Sequence, residues 1–170
     1  VISRSSEYAI RALTFMALQE ADTFHLAQEM ARELSIPPAF LGKVLQPLVT
    51  RGILGSQRGR GGGFRLVRPP TEVFLADIIA TQENLERSRS CVLGQGECSD
   101  EHSCPLHKEW RSRTDSFLAH LEHTSLADLL RYQRTHPECR YPFPSAIQMI
   151  ESTQGMLPAE SGPAGRPPVR

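Results

Sequence analysis

From Leu34 to Thr71 the chain carries no acidic residue, yet Lys43, Arg51, Arg58, Arg60, Arg65 and Arg68 all fall inside it. So uniformly basic a stretch, in a chain of zero net charge, is the footprint of a directional nucleic-acid binder rather than a general polycation. Its periodicity limits what it can fold into. Leu26, Met30 and Leu34 recur at helical spacing over residues 25–34, and Pro37-Pro38 suits a turn and the first turn of a new helix. That helix is expected to run to about residue 50 with Leu41, Val44, Leu45 and Leu48 inward. Pro47 inside it removes a hydrogen bond at a cost of about 3 kcal/mol, so a bend or an early end is expected there. Two short helices joined by a tight turn form a helix-turn-helix.

Residues 52–67, Gly-Ile-Leu-Gly-Ser-Gln-Arg-Gly-Arg-Gly-Gly-Gly-Phe-Arg-Leu-Val, place two strand-like segments around an Arg/Gly turn, which reads as a β-hairpin. A phosphate-cradling nucleotide loop would have to open a helix, and a Walker loop needs Gly-Lys-Ser/Thr; neither condition is met. A hairpin directly after a helix-turn-helix is instead a wing. The candidate DNA contacts are Ala39, Lys43 and Gln46 on the open side of the reading helix and Arg58 and Arg60 at the wing. Lys43 can bond guanine or phosphate and Gln46 can pair with adenine, whereas Ala39 and Gly42 only allow close approach.

The neutral total hides a division. Residues 1–70 hold nine Lys/Arg against five Asp/Glu, and residues 71–170 hold ten against fourteen. A 39% hydrophobic and 22% charged composition suits an ordinary globular chain with a proper core, and no apolar run approaches a membrane span. The start, Val-Ile-Ser-Arg-Ser-Ser-Glu, lacks the apolar core of a signal peptide, which predicts a cytoplasmic location and reduced thiols.

Residues 3–20 read as a helix with Ala9, Ile10, Leu13, Met16 and Ala17 inward and Ser5 or Ser6 as cap, Glu7 and Arg11 pairing on its surface. A short amphipathic helix follows within residues 71–81, built on Phe74, Leu75, Ile78 and Ile79. Periodicity then stops over residues 82–103, where Cys91 and Cys98 have six residues between them and Cys98 and Cys104 have five, with His107 after them. Zinc knuckles use closer cysteine pairs. This wider spacing, with Gly94 and Gly96 to let the loop wrap, fits an iron–sulfur cluster better than zinc, with a thiol switch left open. A long helix resumes near residue 105 and runs to about 123 with Leu106, Trp110, Phe117, Leu118 and Leu121 as an apolar stripe, too long for this small domain to cover, which predicts a homodimer. Thr124-Ser125 caps a last short helix to about residue 132. Residues 141–170 hold six of the thirteen prolines. The expected organisation is therefore a DNA-binding domain over 1–81, a cysteine-rich loop over 82–104, a dimerisation helix and short helix over 105–132, and a Pro-rich, largely flexible tail over 133–170, with a transient helical turn near residues 146–150.

Tyr8-Ala-Ile-Arg-Ala-Leu, Phe40-Leu41 with Leu45, Gly52-Ile-Leu, Arg58-Gly-Arg-Gly-Gly-Gly-Phe and the three cysteines with Cys104-Pro-Leu-His107 resemble, in this order and spacing, the winged helix-turn-helix iron–sulfur regulators of the IscR/NsrR type. The match spans about residues 3–130. It implies a mainly α fold with a small β-hairpin wing and a long dimerisation helix, and a homodimer reading a palindromic operator in double-stranded DNA. It also implies a cluster held by Cys91, Cys98, Cys104 and a fourth ligand. His107 stands where the IscR type has its histidine, with a 2Fe–2S cluster typical and 4Fe–4S the alternative. Glu7 stands where the NsrR type has a carboxylate reaching the partner subunit's cluster. A soft centre prefers nitrogen, which favours His107. Cys139 lies outside the pattern and reads as a spare thiol; His102 reads as solvent-exposed. Ala39, Gly42 and Lys43 depart from the polar or acidic reading residues of the IscR type. The expected function is a regulator, a repressor, controlled by its cluster. The rival readings are a winged-helix regulator without a cluster, sensing through zinc, thiols or a small ligand, and, with no nucleophile–base pair in evidence, an iron–sulfur enzyme or electron carrier.

Overall fold

The computed structural model describes residues 2–96 and 98–143. Helix α1 spans Arg4–Leu18, α2 Ala27–Glu33 and α3 Pro38–Thr50; strands β1 (Leu54–Gln57) and β2 (Gly63–Leu66) follow, then α4 (Leu75–Ala80), α5 (His107–His123) and α6 (Leu126–Thr135). Short 3-10 turns lie at Pro70–Glu72 and Leu85–Arg89. No helix among the described residues is long and apolar enough to cross a membrane.

The core is built on α1, whose Ala9, Ile10, Ala12, Leu13 and Met16 are buried against Met30, Leu34, Leu41, Leu45 and Leu48 of the helix-turn-helix and Ile78 and Ile79 of α4. Ser3, not Ser5 or Ser6, caps α1, accepting from the Ser6 amide at 3.2 Å. Ser6 is free to look inward because its hydroxyl donates to Glu83, whose carboxylate also takes the Ser3 amide at 2.8 Å. These bonds hold Glu83 below the usual carboxylate range against the opposing effect of burial.

The second helix begins two residues later than its pattern suggests. Leu26 is exposed at its N-cap, and His25 instead pairs with Phe64 through two backbone bonds of 2.9 Å. The α2–α3 turn places Ser35 at φ +50°, a local feature that allows Ile36 to drop into the core. Helix α3 runs through Pro47 to Thr50, neither stopping early nor losing its continuation, since the Arg51 amide reaches the Pro47 carbonyl at 3.0 Å. Only the carbonyl of exposed Lys43 loses its donor, while Leu45 and Leu48 on the other side are fully buried.

Strands β1 and β2 pair antiparallel in the register Leu54↔Leu66 to Gln57↔Gly63. Two glycines are required there. A Cβ on Gly62 would come within 2.3 Å of the Gln57 carbonyl oxygen, and one on Gly63, at φ +137°, within 2.3 Å of that of His25.

Segments around Phe74 and Ser125 pair antiparallel, with the Leu75 amide on Thr124 and the Leu126 amide on Val73. Ser125 and Asp128 form a capping box that starts α6. Helix α5 buries His107, Thr114, Leu118 and Leu121. Leu106 and Phe117, expected on the same stripe, are 48% and 44% exposed, so the apolar side of α5 divides between the chain's own core and solvent.

The boundary drawn at residue 133 does not match the packing. Helix α6 extends to Thr135, and the chain then turns back onto α1: Pro142 is buried, the Tyr141 hydroxyl lies 3.2 Å from Thr14 Oγ1, and Phe143 meets Phe15 edge to face. Arg11 is not a surface partner of Glu7. It is buried, and besides Glu7 at 3.3 Å it donates to the Leu34 carbonyl in the helix-turn-helix and to the Pro142 carbonyl at 2.9 Å. The expected flexible tail beyond residue 143 and the helical turn near 146–150 lie outside the described residues.

Candidate functional site

Two regions gather the residues singled out by sequence. On the first, Ala39, Lys43 and Gln46 are exposed along α3, with Gly42 between them facing open space. Arg58 and Arg60 are exposed at the hairpin tip, where positive-φ Gly59 and Gly61 turn the backbone, and neither forms an ion pair among the described residues. Arg65 differs: its guanidinium pairs with Asp22 and lies 5.3 Å from the centroid of Phe24. Arg68 donates to the Glu72 carbonyl. The basic stretch thus divides into open cations and cations that fasten the hairpin.

The second region is the loop between the Leu85–Arg89 turn and α5. Cys91 starts a tight reversal in which its amide donates to the Gly96 carbonyl at 2.8 Å and its carbonyl accepts from Gly94, with Gly94 and Gly96 both at positive φ. This reversal turns successive backbone N–H groups toward the Cys91 sulfur. Bonds from Gln95 and then Leu93, joined by Cys104 and Gly94, hold the Cys91 thiol below its ordinary value although burial opposes them. Cys104 is buried beside it. Burial pushes the Cys98 thiol up, with charge on Cys91 and Cys104 adding to the effect and Arg111 opposing it.

His107 is buried in the first turn of α5, its amide bonded to the Cys104 carbonyl at 2.9 Å. Its Nδ1 lies 3.1 Å from Cys98 Sγ, and its Nε2 lies 2.8 Å from Asp100 Oδ1. Arg111, one turn along α5, donates to the other oxygen of Asp100 at 2.9 Å. The hydrogen bond from His107 and the charge of Arg111 hold Asp100 below the usual carboxylate range. Trp110 Nε1 ties the loop's start to α5 through the Ser90 carbonyl at 2.9 Å. A cavity of about 700 Å³ opens beside Cys98, lined by Arg89, Trp110, Arg111 and Asp115 among others.

The loop therefore brings Cys91 to Cys104 and Cys98 to His107. All four cysteines are free thiols. Among the described residues no three of these groups yet surround one point in metal-holding geometry. The donor set nonetheless suits a cationic centre, because thiols that raise one another's cost of ionisation can all become thiolates once positive charge sits among them. Glu7 is half-buried and bound by Arg11, with no contact to the loop within the chain among the described residues. His102 is exposed, and Cys139 lies near Tyr141, away from the loop. Sequence reasoning passed over Asp100 and Arg111; the i, i+4 placement of His107 and Arg111 on one helix was the available signal.

The sequence profile of the Rrf2 family, described as an iron-dependent transcriptional regulator, matches residues 2–132. The chain belongs to the Rrf2 family. NsrR, an HTH-type transcriptional regulator of Geobacillus kaustophilus, is 31% identical to this Rrf2 chain over 131 residues, covering 76% of it and 88% of the relative. IscR, an HTH-type transcriptional regulator of Escherichia coli, is 28% identical over 134 residues, covering 78% and 81%. The solved structure of CymR, the global cysteine regulator of Bacillus subtilis, superposes with a TM-score of 0.64 at 24% identity, covering 78% of this chain and 97% of that one. The resemblance to the IscR/NsrR type holds, and so does the winged-helix fold. This Rrf2 chain is a DNA-binding transcription regulator and not an enzyme.

Proposed function

We propose that this regulator acts as a homodimeric repressor whose affinity for a palindromic operator is set by an iron–sulfur cluster of the 2Fe–2S type, held by Cys91, Cys98, Cys104 and His107. The observation that carries the reading is the gathering of three thiols and one imidazole in a single loop at the start of α5. The family's description as iron-dependent supports it. Such a cluster supplies a site that reacts with oxidants or nitric oxide and neutralises the thiolates around it. The imidazole whose Nδ1 faces Cys98 is the better fourth ligand; the partner subunit's Glu7 is the alternative, and a 4Fe–4S centre the alternative cluster.

The rest of the device is made by the chain. Ser90 is tied to Trp110, Arg89 to Asp115 at 3.6 Å and Asp100 to Arg111, so a change in loop conformation is felt directly by α5. Leu106 and Phe117 face outward from α5, where a second copy would bury them. A shift of α5 between copies alters the spacing of the two reading helices, and mismatched half-sites lose phosphate and base contacts. Lys43 and Gln46 would meet base edges, Ala39 would permit close approach, and Arg58 and Arg60 would take phosphates or the minor groove.

The test is anaerobic reconstitution with ferrous iron and sulfide, followed by iron analysis, visible absorption and operator titration with salt. Coloured, iron-bearing protein is expected, with colour lost in Cys98→Ala and operator affinity differing between loaded and stripped forms. Colourless, iron-free protein, or equal affinity in both forms, overturns the reading. A second reading has its own observation. Cys104 is a hydrogen-bonding neighbour of Cys91, whose thiol is lowered, an arrangement suited to thiol redox chemistry. It predicts DNA affinity that follows oxidation in iron-free protein.

A further inference from the structure

The iron-binding reading assigns His107 a ligand's role but does not say what fixes its ring. We infer that Asp100 is the positioning residue for that ring and that Arg111 holds Asp100 in place. The inference rests on the assignment of His107 under the proposed function. The imidazole is buried, its two nitrogens face different groups, and among the described residues each nitrogen has one hydrogen-bonding neighbour: Cys98 Sγ at 3.1 Å from Nδ1, and Asp100 Oδ1 at 2.8 Å from Nε2. A carboxylate can only accept, so the Nε2 proton points at Asp100 and the Nδ1 lone pair points at the thiol side of the loop. Histidines that ligate metals commonly donate their other ring N–H to a carboxylate, which fixes the tautomer and raises the basicity of the ligating nitrogen. Asp100 would be a weak anchor alone, being 81% exposed in its side chain. Arg111 offsets this by binding Oδ2 at 2.9 Å from a helix that also carries His107, and Asp115, at 3.9 Å from Arg111 Nε, supports the guanidinium in turn. The arrangement assigns Nδ1 as the ligating nitrogen and makes the grip of His107 depend on a carboxylate that ligates nothing.

Four variants of the full chain test this: Asp100→Ala, Asp100→Asn, His107→Ala and the double variant of Asp100→Ala with His107→Ala. In cluster-free protein, proton NMR should show a downfield hydrogen-bonded imidazole N–H that disappears in both Asp100→Ala and His107→Ala. After anaerobic reconstitution, Asp100→Ala should release iron to a chelator about 10–100-fold faster than the unaltered chain. Its midpoint potential should move upward, because a less basic imidazole stabilises the oxidised centre less. Asp100→Asn, which keeps an acceptor but not the charge, should fall between. Adding Asp100→Ala to His107→Ala should change nothing further. If His107→Ala releases iron at the unaltered rate, the ligand assignment itself fails. If His107→Ala is labile while Asp100→Ala keeps the original rate and potential, the ligand assignment stands and the positioning role is overturned. The exposure of Asp100 keeps its replacement from disturbing the core, and the conservative Asn variant controls for any loss of folding.

Discussion

Arg58, Arg60 and Arg65 lie within eight residues of one another, and charge alone gives no reason to separate them. Their neighbours do. Arg65 is paired with Asp22 and stacked near Phe24, whereas the side chains of Arg58 and Arg60 project from the tip without an acidic partner among the described residues. Arg58→Ala and Arg60→Ala should therefore each reduce the slope of log affinity against log salt by about one in an operator titration. Arg65→Ala should leave the slope unchanged and lower stability by about 1 kcal/mol or less, the range of an exposed pair and a cation–π contact. A reduced slope for Arg65→Ala would show that the residue contacts phosphate instead. Residue-level roles such as these were legible only in part. The candidate ligands Cys91, Cys98, Cys104 and His107 stand out by type and spacing, because few side chains can do a ligand's chemistry. Arg11 and Asp100 do not, since an arginine or aspartate owes its role to whichever groups the fold places opposite it.

Elements were easier to read, because periodicity reports on burial and burial is local along a helix. The helix-turn-helix, hairpin, α4 and α6 all follow from apolar spacing and turn residues. The segment after α6 was harder. It has no periodicity, and its anchorage depends on single groups: Tyr141 on Thr14, Pro142 under Arg11 and Phe143 on Phe15. Burial drives the Tyr141 hydroxyl from 10.0 up to about 12, partly opposed by its bond to Thr14. The folded state thus favours the neutral phenol. Its contribution is complete below pH 10, where the unfolded chain also keeps its proton, and is lost as pH rises from there through about 12. Tyr141→Phe should cost about 0.5–1.5 kcal/mol near neutrality from the lost hydroxyl bond. It should also remove that alkaline step from denaturant midpoints measured across the window. Identical profiles for the two proteins would mean that the segment does not dock on α1 in solution.

At the scale of the whole molecule, the long helix was expected to turn one apolar stripe toward a second copy, and the fold divides that stripe. Leu118 and Leu121 serve the chain's own core, while Leu106 and Phe117 stay open. Sequence spacing could not separate them, since both sets fall within the same broad face of α5. The division makes a clean experiment. Under the proposed homodimer, Phe117→Asp should give monomers in sedimentation at concentrations where the unaltered chain sediments as a pair, with helical circular dichroism preserved, because Phe117 is 44% exposed within its own chain. Loss of helix along with the dimer would show that α5 folds only against its twin. One feature of the reading head bears on the operator itself. The wing is laced to the lead-in of α2 by the paired backbone bonds between His25 and Phe64, over a glycine with no room for a Cβ. The wing is therefore fastened to the helix-turn-helix at its lead-in and would approach the duplex with it as one stiff jaw. A jaw that cannot flex leaves the yielding to the DNA, so operators with easily kinked TA or CA/TG steps beneath the wing should be held more tightly than stiff A-tracts bearing the same contacted bases.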